Sequence, residues 1–73
     1  MGALRFAGLP GNCTIGIYTF SGKLVVTLKD TLPYGEITWD GRNFRKNPAA
    51  GGLYIYVLTD GQGNRKTGKI AVQ

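Results

Sequence analysis

Histidine is absent from this chain, the carboxylates number four (Asp30, Glu36, Asp40 and Asp60), and there is one cysteine, Cys13. General acid–base pairs, activated nucleophiles and metal sites are built largely from these residue types. Hydrolytic, redox and metal chemistry therefore has almost nothing to work with, and the expectation is a non-enzyme with no catalytic residue, no cofactor and no metal. A single cysteine cannot close an internal disulfide, and no zinc-ligand spacing is present. Long apolar runs are also missing. A mean hydropathy of -0.08 is too polar for a membrane span, while 42% hydrophobic residues are too many for intrinsic disorder. The stretch Met1-Gly2-Ala3-Leu4-Arg5 is too short and too polar to act as a signal peptide. If the protein is exported, its targeting signal is expected outside this chain.

What the chain does have is punctuation: 12 Gly and 3 Pro in 73 residues. That density leaves little room for helices and favours short strands joined by turns. At 7.9 kDa, residues 1–73 are expected to form a single domain. So small a domain leans on its core, or on neighbouring copies, because no covalent staple is available. Nine Lys+Arg give a net charge of +5. Most of these cations stand beside Gly, Asn or Pro, where a wet loop or strand face would place them. Solubilisation is the first reading and attraction to an anionic surface the second; aromatics interleave with cations in places, but a nucleic-acid module is disfavoured because no strand shows the exposed aromatic stacking pattern of a single-strand binder. Cys13 opens an apolar alternation and reads as a buried residue. Asn12-Cys13-Thr14 fits the N-glycosylation acceptor pattern.

The pattern along the chain is period two. Ala3–Ala7 is a short mixed run, followed by the turn-like Gly8–Asn12. From Cys13 to Phe20, Cys13, Ile15, Ile17 and Thr19 share one side, which predicts a strand. A tight turn at Ser21-Gly22-Lys23 leads into a strand over Leu24–Lys29, completing a hairpin. Asp30–Gly35 reads as a loop and Glu36–Trp39 as a short strand. Asp40-Gly41 breaks that strand, since Asp accepts a backbone hydrogen bond and Gly supplies positive φ. Arg42–Gly52 is an irregular loop with room for one short bridge. Leu53–Thr59 is apolar on both faces and is expected at the centre of a sheet, covered on both sides. Asp60–Asn64 is a hairpin turn rather than a calcium loop, having one carboxylate and no terminal Glu. Lys66–Val72 alternates again, with Gly68, Ile70 and Val72 inward and Lys69, Ala71 and Gln73 outward. Six or seven such antiparallel strands, with no helical period anywhere, predict an all-β sandwich.

Several blocks then occur together in order. Thr14–Leu28 (TIGIYTFSGKLVVTL) resembles the "IYTxSGxLVxTL" hairpin of a bacterial family. That family comprises the C-terminal sorting domains of type IX secretion cargo and the related Ig-like domain of the flagellar hook-capping protein. Thr38–Asn43 (TWDGRN), Ala50–Asp60 (AGGLYIYVLTD) and Gly63–Val72 (GNRKTGKIAV) continue the likeness, which spans about residues 6 to 72. Two departures stand out. The family's "YPNPF"-type opening has no counterpart in Ala3–Leu9, so a truncated first strand is expected, and its usual "G.PVASG" loop is replaced by Arg45–Gly52. The resemblance implies a small Ig-like, fibronectin type III-like sandwich of exported, cell-surface proteins.

The residues singled out divide by role. Trp39 with Tyr54 or Tyr56 forms either an aromatic ligand platform or a core plug, the latter favoured; Asp40 is expected to cap the turn before Gly41. Ser21 and Gly22 shape the first hairpin turn. Arg42–Lys46 is either a solvated loop or a contact for phosphate or a partner's acidic patch. The resemblance implies that Lys66, Thr67, Gly68, Lys69, Ile70, Ala71, Val72 and Gln73 are what the secretion machinery reads, in a non-catalytic sorting or anchoring module. The alternative is a structural subunit, a homo-oligomer or filament assembled by strand sharing between copies. In either case the expected partners are proteins, with no nucleic acid and no membrane insertion.

Overall fold

Strands form where β-branched and aromatic residues alternate, because such side chains lose least on a pleated, half-buried surface. The computed structural model describes residues 4–7, 9, 12–29 and 36–72. Within them lie six strands: β1 (Leu4–Phe6), β2 (Thr14–Thr19), β3 (Leu24–Lys29), β4 (Ile37–Trp39), β5 (Gly52–Thr59) and β6 (Arg65–Val72). All pairings are antiparallel. β1 and β4 form a two-stranded layer, and the others form a four-stranded sheet in the order β3-β2-β5-β6. The all-β sandwich expected from the sequence is thus the observed architecture, with no helix among the described residues. The Asp30–Gly35 loop and most of the Gly8–Asn12 turn lie outside the described residues.

Register decides which side chains enter the core. Ile15 faces Leu58, Ile17 faces Tyr56, and Tyr54 faces Ile70 across the sheet. These line the inner face with Val72, while Ile37 and Trp39 of β4 reach it from the opposite layer. Cys13, Ile15, Ile17 and Trp39 are the largest fully buried side chains. The ring of Tyr56 packs edge-on against Phe6 of β1, with centroids 5.3 Å apart, and so joins the two layers. It also lies flat across Gly68, its cross-strand partner. A Cβ built on Gly68 would stand 2.3 Å from Tyr56 Cε2, so the missing side chain is what seats the ring.

Three turns share one construction. Thr19–Lys23, Asn43–Asn47 and Asp60–Asn64 each carry a backbone bond from the fourth residue back to the first and from the first forward to the fifth. The fourth residue has positive φ in every case: Gly22, Lys46 and Gly63. This is the type I turn with an adjoining bulge that links antiparallel strands. In each, a side-chain oxygen of the first residue accepts the amide of the fifth: Thr19 Oγ1, Asn43 Oδ1 and Asp60 Oδ1. The sequence pattern centres the first turn on Ser21–Lys23; the observed turn centres on Phe20–Ser21, because only Gly22 suits the left-handed position.

One expectation is overturned. Leu53–Thr59 is central in its sheet, flanked by β2 and β6, but among the described residues no layer covers its outer face. Leu53 is 42% exposed, and Ile55 and Val57 are half-buried by neighbours in the sheet itself. Among the described residues the second layer has two strands and lies on the inner side.

Two outcomes follow. Gly68→Val should displace Tyr56 from its seat and destabilise the fold by about 1–3 kcal/mol, read as a lowered melting temperature. The carboxylate of Asp60, held by the Asn64 side chain and then by turn amides, titrates below its ordinary value of 3.8. A lowered folded-state pKa means stability present above the ordinary value and lost as pH falls through the lowered one. Asp60→Asn should therefore flatten the acid limb of the melting-temperature profile.

Candidate recognition edge

A sheet edge recognises a partner through unpaired amides and carbonyls, so the question is which edges are open. The edge at β3 is engaged at one point, near its start. β3 carries a bulge at Val25, opposite the Ile17/Tyr18 step, and the Val25 carbonyl accepts the Phe44 amide at 3.2 Å. The Arg42–Pro48 segment is held there by its own bonds. Asp40 Oδ1 accepts the Arg42 amide, Gly41 carbonyl accepts the Ala49 amide, and Arg42 bridges to Pro48. Trp39 Nε1 donates to the Arg42 carbonyl at 2.9 Å, and Tyr54 Oη donates to the Ala50 carbonyl at 2.6 Å.

The edge at β6 carries no such loop bond: among the described residues β6 pairs with β5 alone. Its hydrogen-bond phase is set by the hairpin turn, where Asp60 and Asn64 form a bonded pair. Bonded pairs alternate along an antiparallel ladder. Leu58–Lys66, Tyr56–Gly68 and Tyr54–Ile70 are therefore bonded pairs. The amides and carbonyls of Arg65, Thr67, Lys69 and Ala71 consequently point away from β5, along the open edge. The same four residues direct their side chains to the uncovered outer face, level with Thr59, Val57, Ile55 and Leu53.

The segment singled out for recognition is thus divided. Ile70 and Val72 are buried in the core; Lys66, Thr67, Lys69 and Ala71 are exposed, and Gly68 lies beneath Tyr56. Gln73 lies outside the described residues. The other named residues fall elsewhere: Ser21 and Gly22 in the first turn, Trp39, Asp40 and Gly41 at the foot of the 40–50 loop, Tyr54 and Tyr56 on the inner face. Trp39, at 1% exposure and with its ring edge-on to Tyr54, offers no ligand platform. Asn12, of the glycosylation pattern, is exposed.

Sequence reasoning missed the outermost aromatics. Phe44 is 67% exposed beneath the Arg45 guanidinium, and Phe20 is 62% exposed. Near Phe44, Leu24, Val25, Pro48 and Tyr54 line a shallow groove of about 280 Å³. It gathers no cluster of ionisable groups, and no group of three or more His, Cys, Asp or Glu capable of holding a metal occurs among the described residues. Nor is any described helix long and apolar enough to cross a membrane.

No family model and no curated relative matches the chain. A solved structure does: PorZ, an essential bacterial surface component of the type-IX secretion system of Porphyromonas gingivalis, with a TM-score of 0.78 and 26% identity. The match covers 94% of this chain but 9% of that one, so the chain is similar to one small part of a much larger protein.

The edge assignment has a direct readout in hydrogen exchange. Amides of Thr67, Lys69 and Ala71 should exchange fast, and those of Lys66, Gly68 and Ile70 slowly, in strict alternation along one strand. Uniform protection of β6 would mean that its outer edge is covered.

Proposed function

We propose that this chain is a non-catalytic β-sandwich module of an exported or surface-attached protein in a type IX secretion setting, serving recognition or anchoring at the cell surface. The observation that carries the reading is the likeness to part of PorZ over 94% of the chain. The ordered sorting-domain motifs in the sequence support it, and so does the scarcity of catalytic side chains. Its partners in this reading are proteins of the secretion machinery. The features they would meet are the exposed residues of β6, Lys66, Thr67, Lys69 and Ala71, and its open backbone edge. Ile70 and Val72 act indirectly, by anchoring β6 to the core.

A second reading is favoured by one specific feature. An open eight-residue edge strand without proline is the kind of surface that copies of a chain use to share strands. In that reading the module is a subunit of an extracellular filament or layer.

The sorting reading is tested by fusing residues 1–73 to a reporter that is exported to the periplasm of a type IX-competent bacterium. The reporter should reach the cell surface or medium; its retention would overturn the assignment. Light scattering during size-exclusion chromatography tests the filament reading, which a concentration-independent monomer excludes.

A further inference from the structure

The recognition reading leaves open what kind of partner the edge accepts. β6 is eight residues long, unbroken by a bulge against β5, and free of proline. It carries Arg65, Lys66 and Lys69 and no acid; indeed none of the four strands of the large sheet contains an Asp or Glu. Arg65 and Lys69 stand on the outer face beside the open amides, with Lys29 on the same face at the far edge. Among the described residues neither Arg65 nor Lys69 has a carboxylate partner. The described acids are engaged elsewhere: Glu36 faces Arg5 beside β4, while Asp40 and Asp60 accept turn amides.

We propose that the open edge of β6 takes up an extended acidic segment of a partner protein as a fifth strand of the sheet. The inference rests on the recognition reading above and names the chemistry of its partner. Backbone bonding to the amides and carbonyls of Arg65, Thr67, Lys69 and Ala71 supplies the pairing, as in other strand-addition complexes. Residues of the incoming strand opposite these four point to the outer face, where carboxylates meet Arg65 and Lys69. Alternate residues point inward beside Ile70 and Val72 and are apolar.

A second copy of this chain is the poorer occupant. In an antiparallel register overlapping most of β6, Lys69 meets Arg65 or Lys69 of the other copy, directly or on the diagonal. Like charges so placed oppose pairing. The edge is thus guarded against itself and receptive to the opposite charge.

The test uses the whole chain, isotopically labelled, and a capped synthetic octapeptide of alternating valine and glutamate. Amide shifts should concentrate at Arg65, Thr67, Lys69 and Ala71, and these amides should become protected from exchange. A valine–lysine octapeptide should bind at least about tenfold more weakly. The double variant Arg65→Glu/Lys69→Glu, changed only at exposed positions, should invert that preference. Thr67→Pro removes an outward amide, tolerable in an edge strand, and should abolish binding; retained Trp39 fluorescence verifies its fold. Shifts centred elsewhere, equal affinity for both peptides, or unaltered preference in the double variant would overturn the proposal. So would a dimer joined through β6, which would make a second copy the occupant. Reporter export separates the two ideas. Peptide binding with a retained reporter preserves the edge chemistry and removes the sorting role. Export without peptide binding does the reverse.

Discussion

Trp39 is tied at both ends, and much of the molecule follows from that. Its ring lies edge-on to Tyr54 of the large sheet, 6.1 Å between centroids, and its Nε1–H donates to the Arg42 carbonyl. The first contact holds the two-stranded layer against the inner face. The second fixes the start of the 40–50 loop, since Trp39 is buried and its N–H needs an acceptor. From there the chain has few choices. Asp40 caps Arg42, Gly41 turns at positive φ, and Asn43 organises a tight turn that brings the Phe44 amide to the bulged Val25 carbonyl. A buried indole therefore anchors the loop that bonds to one edge strand of the large sheet at Val25.

The consequence is asymmetry. A four-stranded sheet has two edges: the 40–50 loop bonds to β3 at Val25, while among the described residues nothing bonds along the outer side of β6. The outer face beside it is likewise uncovered, so backbone groups and side chains on one flank are available together. The loop beside β3 is held at a conformational cost. Lys46 occupies a left-handed position that Gly22 and Gly63 fill in the sister turns, a conformation that costs a side-chain-bearing residue about 1–2 kcal/mol. Its carbonyl accepts a bond from the Arg42 guanidinium, which keeps the turn in place.

Much of this was legible in the residues. Alternation in TIGIYT and RKTGKIAV located β2 and β6, since a strand places successive side chains on opposite faces. Turns at Gly22 and Gly63 were legible because few residues other than Gly accept that backbone. The turn at Lys46 carried no such signal, and Phe44 looked like any loop aromatic. Their arrangement depends on the distant Val25 carbonyl. The double-sided apolar character of LYIYVLT was misread as double-sided burial; Ile55 and Val57 are sheltered by Tyr18, Lys69 and Thr67 along their own sheet. A hydrophobic pattern reports which residues tolerate burial but not whether a second layer exists to bury them.

By itself, the sequence determined strand positions, hairpin turns, the poverty of reactive groups and the segment Lys66–Val72 as a feature of interest. Those properties are local: they depend on a residue's conformational preference, its chemistry and its spacing from near neighbours. Only the tertiary structure decided which half of that segment is core and which of its backbone groups lie along an unpaired edge of the sheet. It also decided that Arg65 and Lys69 of β6 share a face with no acid. These are relations between residues far apart in the chain, set by register and by the phase of the hydrogen-bond ladder. A shift of one residue in pairing would have exchanged every inward side chain for an outward one.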